Sequence, residues 1–226
     1  MIRLAHRGCY SRKITENTLE ALEEAVMRGA DGIEFDLHLS KDGEIMVVHD
    51  ADLHRLAGYA RKIRELESAE LISMPLRYGG SIPTLNDVTA RIHAPALLDM
   101  EVKTRAVLEP LLKKLSTSTA LRERTIISSF NAQVLKEVRR HFPEMRTLFL
   151  IKRWPLPLRR KKVWNKIKDV NPWGVAFPII SLTRKRVIFL RGLCANVGGW
   201  DLRGLKRESE RARKLELDVA IVRITK

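Results

Sequence analysis

The stretch "IRLAHRGCYSRKITENTLEALEEAVMRGADGIEFDLHLS" (residues 2–40) runs through three patterns in succession. Residues 2–5 are a short apolar run with β character. Residues 17–29 repeat apolar positions at helical spacing, with Leu19, Leu22 and Val26 on one face, Asn17 placed to cap the start and Gly29 placed to end it. Residues 31–39 return to a strand, followed by the turn "SKDG" and a second run, "EIMVVHD" (44–50). Strand, helix, strand is the unit of a parallel sheet, and the rest of the chain repeats it. Strands are predicted over 96–103, 125–130, 146–151, 173–179, 193–197 and 217–224. Helices are predicted over 84–92, 106–115 (with Pro110 inside it), 132–142, 184–190 and 202–215, while 51–82 reads as mixed and loop-rich. About eight strands separated by helices in 226 residues predict an α/β fold. The form that fits is a (β/α)8 TIM barrel, a single domain over 1–226 with a short insertion after the second strand. An open doubly wound sheet is the competing arrangement, but no glycine-rich phosphate fingerprint follows the first strand.

Hydrophobic residues make up 45% of the chain, enough for a large core, and no apolar run reaches the length of a membrane span. The start, "MIRLAHRG", has no secretory pattern, and Cys9 and Cys194 have no metal-type spacing, so a cytoplasmic location is expected. The net charge of +15 points to an anionic partner: nucleic acid, an anionic membrane surface or an anionic substrate. The charge is uneven. Residues 152–168, "KRWPLPLRRKKVWNKIK", hold eight Lys/Arg and no acid. A basic nucleic-acid-binding protein is the non-enzyme reading, but none of the usual nucleic-acid motifs is present.

Polar residues interrupt the strands at their C-terminal ends, where barrels carry their chemistry. His6 ends the first strand. Glu34 and Asp36, two apart, share one face of the second, and His38 continues that face. His49 ends the run that follows. Glu101 and Lys103 end "LLDMEVK", and Ser129 and Asn131 flank the end of "TIISSF". Three acids converging on one rim need compensation, which a hard divalent cation with oxygen ligands would supply. An ion-pair network with Arg or Lys would also supply it. Two histidines at strand ends suit general acid–base work near neutral pH. Arg7 suits a phosphate or an acid, Asn17 fits a helix cap or the site, and His54, His93 and His141 read as structural.

The pieces "HRG", "ENT", "GADGIEFD", "SKDG", "HD..L.R", "SIPTLNDV", "LLDMEVK" and "ISSFN" together resemble the glycerophosphodiester phosphodiesterases. The resemblance is specific over residues 1–131 and looser beyond. It implies a (β/α)8 barrel and a metal-dependent phosphodiesterase. His6 and His49 would then be the catalytic acid and base, with Glu34, Asp36 and Glu101 as ligands of Mg2+ or Ca2+. Arg7, Lys103 and Asn17 would contact the phosphate. The implied substrate is a glycerophosphodiester, cleaved to an alcohol and glycerol 3-phosphate through a cyclic phosphate. A lysophospholipase D-type or phospholipase C-type activity on membrane-derived lipids is the alternative on the same scaffold. The chain departs from the family in two places. Gly198 and Gly199 of "LCANVGGWD" stand where a tryptophan-threonine pair is usual, and "LDVAIVRITK" lacks the usual threonine-aspartate. The basic segment interleaves Trp154, Leu156, Leu158 and Trp164 with its cations, a pattern suited either to peripheral contact with an anionic membrane or to a helix with solvated cations and core tryptophans.

Overall fold

In the computed structural model, which describes residues 1–201 and 206–224, eight parallel strands close on themselves. They are β1 (Ile2–His6), β2 (Gly32–Leu39), β4 (Leu97–Val102), β5 (Thr125–Ser129), β6 (Arg146–Leu150), β7 (Gly174–Pro178), β8 (Asn196–Asp201) and β9 (Val219–Val222). Closure comes from pairing β1 with both β2 and β9. The remaining strand, β3 (Ile45–Val47), lies antiparallel on β2 outside the closed ring. The architecture is therefore the barrel rather than the open sheet.

The pleat sorts each strand into two faces. Ile33, Phe35 and Leu37 of β2, with Leu98, Met100 and Val102 of β4, join the large apolar layer between barrel and helices. The alternate positions face inward. Leu4, Ile126, Leu148, Ala176, Val219 and Ile221 form a separate cluster that fills the lower barrel. Above this plug the inward positions of β1, β2, β4 and β5 are polar: His6, Glu34, Asp36, Asp99, Glu101 and Ser128 are all buried.

The outer helices are α1 (Leu19–Met27), α2 (Leu85–Arg91), α3 (Leu108–Ser116), α4 (Ala132–His141), α5 (Arg160–Val170), α6 (Arg184–Arg191) and α7 (Lys206–Lys214). Pro110 does not break α3, because it sits in the first turn, where backbone N–H groups have no helical partner. The first residues expected of the last helix lie outside the described residues, as do the final two of the chain. The excursion between β2 and α2 is more ordered than its sequence pattern suggests. It contains short helices at His54–Ala57 and Ser68–Ser73 and an apolar cluster of its own around Leu53, Leu56, Ile63, Leu66 and Leu71. The seventh barrel strand, β8, runs later than the expected 193–197 and takes in the glycine pair. A Cβ on Gly199 would lie 2.5 Å from Ile179 Cγ1, so the close packing of this strand explains a glycine that weakens its β signal.

One sequence expectation is corrected and one open alternative is decided. Thr18, not Asn17, caps α1: its Oγ1 accepts from Ala21 N, while Asn17 holds a left-handed φ of 60°. Trp154 and Trp164 turn inward. They pack on each other with ring centroids 5.4 Å apart, and Trp154 also packs against Phe177. Cys9 and Cys194 are buried and are not joined in a disulfide. Among the described residues no helix is long and apolar enough to cross a membrane.

The loop leaving β1 turns through Arg7 at φ 56° and Gly8 at φ 82°. An added Cβ at Gly8 would sit 2.4 Å from the Ala21 carbonyl oxygen. Gly8→Ala should therefore destabilise the protein by at least about 1–3 kcal/mol, the usual cost of backbone strain alone. A chemical denaturation midpoint unchanged from wild type would contradict this account of the loop.

Candidate active site

Strand register assembles the site. His6 lies beside Glu34 across β1 and β2, Glu34 beside Asp99 and Asp36 beside Glu101 across β2 and β4, and Glu101 beside Ser128 across β4 and β5. Glu34, Asp36 and Glu101 each offer a carboxylate oxygen within 4.8 Å of the others. Lys103 Nζ lies 2.8 Å from Asp36 Oδ1 and 2.7 Å from Glu101 Oε1. Arg7 Nε lies 3.2 Å from Asp36 Oδ2, and Asn17 Nδ2 donates to the same oxygen at 2.9 Å. The strained turn at Arg7 also brings its backbone N–H to the Glu34 carbonyl oxygen at 2.8 Å and to Glu34 Oε2 at 3.3 Å.

The electrostatics separate the three acids. Burial opposes ionisation of Asp36, but Lys103 and then Arg7 outweigh it and hold the carboxyl below its ordinary range. Glu34 is pushed well up by burial, then by the charges of Asp36 and Glu101. Glu101 is raised by burial and by Asp36, against the pull of Lys103. A cluster in which burial and then like charge push two carboxyls up, and in which every donor is an oxygen, fits a hard divalent cation.

His6 is buried and its imidazole is pushed down to about 3, by burial first and then by the charge of Arg7. It is therefore neutral near pH 7. His49 stands nearer the solvent, with Nδ1 2.7 Å from Asp50 Oδ1. Burial lowers its affinity for a proton, while Asp36 and the bond to Asp50 work the other way. Asp50 is held by Arg55 Nε at 2.6 Å, Arg55 Nη2 reaches Glu16 Oε1 at 2.6 Å, and Arg7 Nη1 reaches the same oxygen at 2.9 Å. A continuous chain of alternating charge thus links His49 to Arg7 and Asp36. His38 Nε2 lies 3.1 Å from the His49 carbonyl oxygen and braces that backbone from below.

All eight residues singled out for the site are brought to the mouth. His49, Glu101 and Lys103 line one cavity of about 630 Å3, together with Ser129, Asn131 and Lys152. Ser129 Oγ donates to the Val102 carbonyl oxygen, and Asn131 caps α4, so both have structural duties at the cavity edge. His54, His93 and His141 are exposed and line no part of this cavity. A larger hollow of about 1170 Å3 lies at the opposite end of the barrel, between Ile2, Met27 and Pro95; His93 lines it, and none of the eight site residues does. Sequence reasoning missed Glu16, Asp50 and Arg55, which stand in the matched pieces "ENT" and "HD..L.R". It also missed Asp99, which shares the inward face of Glu101.

A parallel barrel with this polar mouth is that of a phosphoric diester hydrolase. The sequence model of the glycerophosphoryl diester phosphodiesterase family matches residues 6–176. The chain belongs to that family. A glycerophosphodiester phosphodiesterase from Caldanaerobacter subterraneus subsp. tengcongensis is 33% identical over 174 residues, 69% of this chain and 71% of its own length. A lysophospholipase D from Mus musculus is 33% identical over 167 residues, 66% of this chain and 49% of its own, so the chain spans about half of that relative. The crystal structure of a glycerophosphodiester phosphodiesterase from Thermotoga maritima superposes with a TM-score of 0.80 at 28% identity, covering 98% of this chain and 94% of that one.

Asp99 gives the site a pH signature. Burial, followed by the charge of Glu101, lifts its carboxyl to about 8 against the nearby Ser128 hydroxyl. Unfolded, it would titrate near 3.9. Its raised folded value adds stability that is complete below about pH 4 and is lost as pH rises to about 8. Denaturant unfolding in chelator should show the wild type less stable at about pH 8 than at about pH 5. Asp99→Asn should show a smaller loss; equal losses would exclude Asp99 as a source.

Proposed function

We propose that this chain hydrolyses glycerophosphodiesters to an alcohol and glycerol 3-phosphate. The observation that carries this reading is the register pairing of Asp36 with Glu101, beside Glu34, at a mouth shared with His6, His49, Arg7 and Lys103. Arg7 and Lys103 are the cations that would bind the phosphoryl oxygens, exchanging part of their carboxylate contacts for the anionic diester. Asn17 orients Asp36 through its amide. Glu34, Asp36 and Glu101 would hold Mg2+ or Ca2+, which when bound supplies a Lewis acid that favours ionisation of a hydroxyl and neutralises charge on phosphorus-bound oxygen.

The glycerol hydroxyl next to the ester attacks phosphorus and the bond to the other alcohol breaks, giving a cyclic phosphate. His6 and His49 divide the proton transfers: one takes the hydroxyl proton and the other protonates the departing oxygen. Their roles reverse when water opens the ring. Asp50 on Nδ1 leaves Nε2 of His49 for this work and stabilises the imidazolium that forms when it accepts a proton.

The test is release of free alcohol from glycerophosphocholine with Mg2+, Ca2+ or a chelator. Metal-dependent release is expected, and His6→Ala and His49→Ala should each lower kcat by at least about 100-fold. Metal binding, followed calorimetrically, should persist in both. Near-wild-type turnover in either variant would falsify that histidine's role.

A second reading, membrane-derived lysophospholipids as substrates, is favoured by one observation. Although Trp154 and Trp164 point inward, Leu156 is 63% exposed and Leu158 fully exposed, among Arg153, Arg159, Arg160, Lys161 and Lys162. The same segment lends Lys152 and Lys166 to the active-site cavity. Apolar tips within a cationic field suit the headgroup zone of an anionic membrane. Leu156→Glu/Leu158→Glu should reduce co-sedimentation with phosphatidylglycerol vesicles, and phosphatidylcholine vesicles should bind the wild type weakly. Equal, salt-insensitive binding to both lipids would remove this reading.

A further inference from the structure

Beside the catalytic centre the mouth holds a second hollow, of about 340 Å3, that the chemistry above does not use. Separate parts of the chain build it. Tyr10 and Arg12 come from the loop after β1, Glu16 precedes α1, Arg55 and Arg77 belong to the excursion, and Arg223 follows β9. Four arginines therefore face one acid. That acid is already committed, since Glu16 Oε1 is shared by Arg7 at 2.9 Å and Arg55 at 2.6 Å. Arg12, Arg77 and Arg223 enter no ion pair among the described residues, in contrast to Arg28 with Glu24 or Arg91 with Glu23. Arg223 stacks on the Tyr10 ring at 4.3 Å, and its buried Nε has no hydrogen-bond partner.

Like charges drawn together from three loops repel one another unless an anion joins them. The planar donor forks of guanidinium groups match the oxygens of phosphate or carboxylate. Glu16 is the shared wall: on one side it holds Arg7 of the catalytic centre, and on the other it holds Arg55 of the hollow. An anion in the hollow is thus a near neighbour of a phosphodiester bound at Arg7. The glycerol half of such a diester is uncharged, so the second anion belongs to the other alcohol. We propose that this arginine-lined hollow binds a second anionic group, phosphate or carboxylate, carried on the leaving alcohol. The enzyme thereby selects diesters with a negatively charged alcohol over those with a neutral one. The proposal rests on the phosphodiesterase reading.

Two substrates that differ by one phosphate test it: glycerophosphoinositol 4-phosphate and glycerophosphoinositol. The wild type should show a kcat/KM about tenfold higher on the phosphorylated diester, mainly through KM. Arg12→Gln/Arg77→Gln, which alters two exposed side chains, should lose that preference and keep its rate on glycerophosphoinositol. Equal wild-type values on the two substrates, or a preference that survives the double variant, would overturn the proposal. If neither diester is cleaved, release from glycerophosphocholine decides whether the phosphodiesterase reading fails, and the hollow is then judged by calorimetric titration with inositol 4-phosphate. Binding that weakens about tenfold in the double variant supports the site, and no binding to the wild type overturns it. Inorganic phosphate is the control for source. Binding weaker than that of inositol 4-phosphate assigns the site to the alcohol of a substrate, whereas equal binding makes it a free-anion site and overturns the substrate assignment.

Discussion

Glu34, Asp36, Asp99 and Glu101 are all buried within one barrel mouth, and their mutual repulsion is the constraint around which the N-terminal half is built. Carboxylates removed from water are tolerated only when paired or protonated. Both remedies are present. Asp36 stays ionised between Lys103 and Arg7, while Glu34 and Asp99 are driven toward the protonated form. Arg7 can serve Asp36 only because the backbone turns through a left-handed residue just after β1, and Asn17 reaches the same oxygen from a second left-handed residue. Backbone strain at these two positions is offset by what they give Asp36, the charge of Arg7 and the amide hydrogen bond of Asn17. The cooperation also accounts for the bridge from Arg7 to Glu16. A guanidinium that compensated one buried acid alone would be free to swing, and the second partner fixes its plane.

The barrel suits this arrangement because its interior is divided along the strand axis. The lower layer is an apolar plug, and the upper layer is where the same alternation of inward side chains turns acidic. The plug gives the strands a packed interior that does not depend on the charged layer. The charged layer can then carry pKa perturbations that would be intolerable if the whole interior depended on it. Strand register converts sequence neighbours two apart into rows of oxygens on adjacent strands, so no flexible loop is needed to bring the carboxylates together. The loops supply instead what must be adjustable: His49, Arg7 and Lys103.

This division sets what can be read from the chain. Glu34, Asp36, Glu101 and His6 are legible because polar groups that interrupt apolar strands are costly to bury unless they converge on partners. Asp99 carries the same signal, two residues before Glu101, but it lies below the strand end, where a barrel's chemistry is not expected. Asn17 is ambiguous for a physical reason. Asn and Thr both cap helices, and only the tertiary contact with Asp36 decides which of Asn17 and Thr18 does so. Glu16, Asp50 and Arg55 act through pairings up to 39 residues apart, which no local pattern reports. The tryptophans of the basic segment are undecided in the sequence, since alternation with cations does not tell which side of a loop meets the core.

The charge of +15 takes on a location once ion pairs are considered. On the barrel flanks several cations are paired: Arg28 with Glu24, Arg91 with Glu23, Arg140 with Glu137, and Lys136 with Asp169. Lys152 and Lys166 at the mouth differ. They face the active-site cavity, one over the Phe130 ring and one over the Phe149 ring, and neither has a carboxylate partner among the described residues. Paired flank charges cancel within a few ångströms, whereas the unpaired cations of the mouth add to the field felt at a distance. A low-dielectric cleft rimmed by one sign of charge focuses that field and raises the encounter rate of anions, with an effect that weakens as salt rises. The same rim lies next to buried carboxylates that would repel an anionic diester. The cations beyond the strand ends therefore have two tasks: Arg7 and Lys103 neutralise the acids within, and the outer ring makes the mouth attractive despite them.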